Sequence, residues 1–179
     1  MIAAKPTPLT LICCRLMKYS ILIERVPYEE PHHLELHWTI ESDETSSRFE
    51  LYDNATTLSK FAKELKDFPN HSEDEFIYQI GSEKPEVNFA YFFRLHFFLK
   101  NHRGYDATID VRFVNNQQYA DTRIVDYRLY STTPRLRKLA KLFEEFSKLK
   151  SLILYWDHSD AFVGSVEDYR AGEWRTEDA

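Results

Sequence analysis

His33, Glu35 and His37 alternate with apolar residues in the run His33-Leu-Glu-Leu-His-Trp38, and imidazole and carboxylate are the side chains that bind zinc. On a strand all three point to one side, which a helix would not allow. Residues four apart on a strand lie about 13 Å from each other, so one ion cannot reach all three. Two neighbours could ligate only with donors from elsewhere, and no cysteine pattern or H-E-x-x-H motif supplies them. These residues therefore read as a solvated strand face, and no metal or cofactor is expected. His96 and His102 flank an aromatic run and could act as bases, but general base chemistry needs an oriented nucleophile. No G-x-S-x-G is present, and the two cysteines, Cys13 and Cys14, sit side by side near the N-terminus. With only four glycines, phosphate-cradling loops are disfavoured as well. No catalytic residue is assigned, and a non-enzymatic protein is expected.

Two acidic clusters remain, Glu41-Ser-Asp43-Glu44 and Glu73-Asp74-Glu75. Both fall in turns, without the spacing or glycine of a calcium loop, so paired-carboxylate chemistry is not indicated. Their natural use is an acidic docking surface for a basic partner.

The elements that must carry these residues follow from periodicity. His32 to Glu41 alternates Leu34, Leu36, Trp38 and Ile40 with polar residues, and Arg48 to Tyr52 resumes the alternation after a polar turn. An amphipathic helix over about Thr57–Asp67 places Leu58, Phe61, Ala62 and Leu65 on one stripe. Asn54, Thr56 and Thr57 offer capping oxygens, and Pro69 follows the helix. Strands are expected at Glu75–Gly81, Asn88–Lys100, Tyr105–Val114 and Asp121–Tyr130. A second helix opens at Thr133-Pro134 and runs to about Lys150, with Leu136, Leu139, Ala140, Phe143 and Phe146 on one side. Ser151–Trp156 fits either a last strand or a continuation of that helix. The fold class is α+β: an antiparallel sheet of about six to seven strands with two helices packed on one face.

Opposite charges across a sheet stabilise a register and like charges oppose it. Pairing Leu95 with Ile109 and Val111 with Tyr127 makes Arg94–Asp110–Arg128 a ladder on the outer face. Phe92 and Phe98 share that face, where either the aromatic C-terminal segment or a partner should cover them.

The chain has 179 residues with 43% hydrophobic and 29% charged, enough for one domain with a full core. The domain is expected over residues 17–157, after a disordered or spurious extension over 1–16 with Met17 as the natural start, and before a polar tail over 158–179. The formal charge of −6 and the lack of a basic run exclude a typical nucleic-acid binder. The apolar run Leu9–Cys14 is too short to span a bilayer. Adjacent cysteines cannot staple a loop, which suits a reducing, cytoplasmic location.

The strand–strand–helix–strands–helix order resembles the small bacterial immunity proteins of the wall-associated toxin (WapI-like) type. The resemblance is carried by Leu58-x-x-Phe61-Ala-x-Glu64-Leu65, the strand Phe89–Lys100, Gly104-Tyr-x-x-x-Ile109-x-Val111 and Leu139-x-x-x-Phe143-x-x-Phe146, over residues 32–150. It implies a protein that neutralises a toxin by direct binding and puts no catalytic residue on the chain. The expected partner is a basic toxin domain, contacted through Glu41, Asp43, Glu44, Glu73, Asp74, Glu75, Phe92 and Phe98. The alternative is a structural or regulatory component that acts as a homo-oligomer or within an assembly.

Overall fold

The computed structural model describes residues 18–27, 29–70, 75–87, 89–100, 105–116 and 123–175. In chain order the elements are β1 (Tyr19–Val26), β2 (Leu34–Ser42), β3 (Ser46–Asp53), α1 (Ala55–Asp67), β4 (Glu75–Gly81), β5 (Phe92–Leu99), β6 (Asp106–Val114), β7 (Ile124–Thr132), α2 (Thr133–Phe146), β8 (Ile153–Asp157), β9 (Ala161–Gly164) and α3 (Val166–Ala171). The α+β class holds, with the strands divided between two antiparallel sheets. The first has the order β3-β2-β1-β8-β9 and the second β4-β5-β6-β7.

That division corrects the single sheet with helices on one face. Helix α1 carries the chain from β3 to β4 and α2 carries it from β7 to β8, so each helix is a crossover between sheets. Local periodicity shows which side of a strand is apolar but not which distant strand lies beside it. The five-stranded sheet depends on β8 returning to pair with β1, Ile21 opposite Trp156 and Ile23 opposite Leu154. The same pairing decides the ambiguous Ser151–Trp156 segment in favour of a strand.

The two sheets and two helices share one core. The Trp38 ring lies 5.2 Å from Phe93 across the sheets and 5.9 Å from Phe143 on α2. Phe49 packs 4.6 Å from Phe113. Phe61 on α1 sits edge-on to Phe143 at 4.5 Å and 4.6 Å from Tyr78. Leu58, Phe61, Leu139 and Phe143 are all buried, as their helical spacing requires. The Asn54 side chain caps α1 by accepting from the Thr57 amide at 2.8 Å.

The second sheet also corrects a register. Leu95 pairs with Val111 and Arg94 faces Arg112, while Asp110 faces His96 on one side and Arg128 on the other. The β6–β7 half of the expected ladder is present: Arg128 Nε donates to Asp110 at 2.5 Å. The β5–β6 half is shifted by two residues. Like charges across strands tolerate this because Arg112 is held between Glu83 and Asp126, each at 2.5 Å.

The boundary expected after residue 157 falls inside the β8–β9 hairpin, so Ala161–Gly164 of the expected tail belong to the first sheet. Arg135 on α2 secures that hairpin by donating to the carbonyls of Asp157, Ser159 and Asp160. Residues 1–16 and the proposed start at Met17 lie outside the described residues.

Candidate interaction surface

The inward alternation of β1, β2 and β3 leaves Ser20, Leu22 and Glu24, then Glu35, His37, Thr39 and Glu41, then Ser46, Arg48, Glu50 and Tyr52 on the outer face. Register sorts them into rows: Glu24, His37 and Glu50 lie side by side across three strands, and Glu35 faces Tyr52. The turn between β2 and β3 adds Asp43 and Glu44, both exposed. Arg48, whose guanidinium reaches Glu24 at 3.5 Å, and Lys18 lie on this side, and Arg175 stands at its border beside Tyr169 and Trp174. Carboxylates therefore dominate one face of the first sheet.

Local bonds hold these groups in place. Glu41 accepts from the Ser20 and Ser46 hydroxyls at 3.1 and 3.3 Å, and Asp43 accepts from the Lys18 amide at 3.2 Å. His37 Nε2 lies 2.8 Å from Glu35 Oε1, and the Tyr52 hydroxyl donates to Glu50 Oε1 at 2.7 Å. That bond to Glu50, with the negative charge of Glu50 and Glu35 behind it, pushes the Tyr52 phenol up to about 12. The backbone of Tyr52 is clamped by the Tyr91 hydroxyl, which accepts from its amide at 2.6 Å and so blunts the β3 edge. Beside Glu41 an open cleft of about 240 Å³ is lined by Lys18, Tyr19, Ser20, Ser42, Tyr155, Asp157 and His158.

The acidic face stops where aromatic cover begins. Tyr169 and Trp174, on and after α3, stack at 5.3 Å and pack over Tyr155 and Phe162 on β8 and β9 at 5.0–5.9 Å. The C-terminal rings thus roof the far end of the first sheet and not Phe92 or Phe98, which belong to the second.

Of the residues expected at a partner contact, Glu41, Asp43 and Glu44 come together at the β2–β3 tip. Glu75 starts β4 on the other sheet, opposite Phe98, and its carboxylate meets His96 Nε2 at 2.9 Å. Glu73 and Asp74 lie outside the described residues. Phe92 is a correction: it is only 3% exposed and offers a partner no surface. It lies at the end of its face where the β4–β5 connection is tied down, Asn116 Nδ2 donating to the carbonyls of Ser82 and Phe89 at 2.8 and 2.9 Å. Phe98 is half-buried, with the Arg128 guanidinium 5.3 Å from its ring and His96 5.1 Å away.

The sequence reading missed Glu24, Glu35 and Glu50 as members of the acidic face. A signal existed: a turn centred on Asp43 and Glu44 sets His37 opposite Glu50. Nothing local brings in Glu24, which depends on the β1–β2 pairing. Among the described residues no helix is long and apolar enough to cross a membrane. No protein-family model matches the chain, and no curated protein does either.

Proposed function

We propose that the protein is a non-enzymatic binding protein that docks a basic polypeptide on the outer face of β1–β3, in the manner of the immunity proteins its element order resembles. The observation that carries this reading is the gathering of Glu24, Glu35, Glu41 and Glu50 on one face with Asp43 and Glu44 in its turn, outnumbering the neighbouring cations Arg48, Lys18 and Arg175. The chain's net charge of −6 is thereby focused rather than dispersed. A surface of one sign draws an oppositely charged partner from a distance and speeds its encounter. Because the carboxylates stand on paired strands, little ordering is needed when the partner arrives. A toxin domain of basic character in the same cytoplasm is the partner this chemistry fits.

Co-expression with the product of the adjacent upstream gene tests the reading. The expected result is a stoichiometric complex and protection of the cell, both lost in the triple variant E41K/D43K/E44K. No complex, or a complex indifferent to that variant, would overturn it.

A second reading, self-association, is favoured by one observation on the opposite side of the molecule. Ile77, Ile124 and Tyr130 are 47%, 61% and 37% exposed on the outer face of the four-stranded sheet, whose edge strands among the described residues are β4 and β7. Light scattering on the purified chain separates the two, since a monomer disfavours this second reading.

A further inference from the structure

We propose that Glu35, His37 and Glu50 form a binding site for a divalent transition-metal ion of the zinc class, which shares Glu35 and Glu50 with the proposed docking face. The sequence alone offered His33, Glu35 and His37, which span too far for one ion. The hairpin register replaces the distant His33 with Glu50 from the neighbouring strand, directly opposite His37. One ligand atom from each of Glu35, His37 and Glu50 can be chosen so that all lie within 4.8 Å of one another. Ligands about 2.1 Å from a tetrahedral ion sit about 3.4 Å apart, so side-chain rotation closes the set without moving the strands.

Charge points the same way. With a neutral imidazole the cluster carries two negative charges, which a divalent ion cancels. His37 Nε2 meets one oxygen of Glu35, a bond an ion ligated by that nitrogen would replace; among the described residues Glu50 is met by the Tyr52 hydroxyl, and Arg48 reaches Glu24 instead. The Tyr52 hydroxyl holds the Glu50 carboxylate through Oε1, the outer support that metal-binding carboxylates commonly have. An imidazole with two carboxylates suits zinc or its first-row neighbours, whereas calcium and magnesium prefer more numerous, all-oxygen ligands. Three protein ligands leave a coordination position open to solvent, because Glu50 is exposed.

Calorimetric titration of the untagged full chain with zinc chloride tests the site, in a background carrying Cys13→Ser and Cys14→Ser so that thiolates contribute nothing. Saturation at one ion per chain with a micromolar or tighter Kd is expected. His37→Ala and Glu50→Gln should each weaken binding by about tenfold or more, while His33→Ala leaves it unchanged. Glu50 is exposed, so its variant keeps the fold, and an unchanged unfolding midpoint without metal confirms that. Failure to saturate, equal loss with His33→Ala, or full binding by both ligand variants would overturn the proposal. The variant E41K/D43K/E44K should retain one zinc per chain, which separates failure of the metal site from failure of docking.

Discussion

Asp53 ends β3 with a half-buried carboxylate. Its oxygens accept from the Tyr78 hydroxyl at 2.5 Å and the Asn54 amide at 2.8 Å. Burial raises its pKa, and those hydrogen bonds only partly oppose the rise. A carboxyl raised in the folded state holds its proton there more tightly than in the unfolded chain. Stability therefore falls as pH climbs from the ordinary aspartate range, about 3.9, through the raised folded value, and stays lower above it. Asp53→Asn removes the charge and gives up one of the two acceptor oxygens, a loss that does not vary with pH, so its stability relative to the parent should be greater at pH 7 than at pH 4 in urea unfolding. A difference that is constant or shrinks with pH would contradict this. Tyr78→Phe, by contrast, strips a donor from a half-buried carboxylate and should cost about 1–3 kcal/mol at pH 7 in the same measurement. Little of this network could be read in advance, because Asp53 and Tyr78 meet only when α1 folds β4 back toward β3. The acidic face was more legible: Glu41, Asp43 and Glu44 are contiguous in sequence, whereas Glu24 and Glu50 join them only through register.

Both long helices are amphipathic for the same reason, a stripe of apolar residues at helical spacing, and both bury that stripe where the sheets meet. Phe61 and Phe143 touch edge to face at 4.5 Å at the centre of this contact. Truncating either to Ala should cost about 3–5 kcal/mol in equilibrium unfolding, the range for a large buried ring. The cap is smaller in effect: Asn54→Ala removes the acceptor for the Thr57 amide and should cost about 1 kcal/mol. The strands and helices were legible because each has a clean period. The pairing of β5 with β6 was not, since charge alone favoured Arg94 opposite Asp110, and Glu83 changes the balance from a connection whose position no strand pattern reveals. Sheet membership was hidden for a related reason. Trp156 and Tyr19 lie far apart in the chain, yet their rings pack at 4.9 Å once α2 has delivered β8 to β1.

The whole molecule presents unlike sides. The first sheet turns carboxylates outward over β1–β3 and roofs its far end with aromatic rings. The second turns out a surface in which Arg112 and Arg128 are matched by Asp126, Glu83 and Asp110 and in which Ile77, Ile124 and Tyr130 are exposed. Fold class could be inferred from sequence, but this polarity could not, because it depends on which strands share a sheet. If the acidic side is the docking side, attraction between opposite charges must show in the rate of encounter. The association rate constant of the complex with the basic partner, measured from low to high ionic strength, tests this most directly. The parent should associate fast at low salt and slow steeply as salt rises, while E41K/D43K/E44K should be slow and nearly insensitive to salt. Equal rates and equal salt slopes for the two proteins would contradict the account.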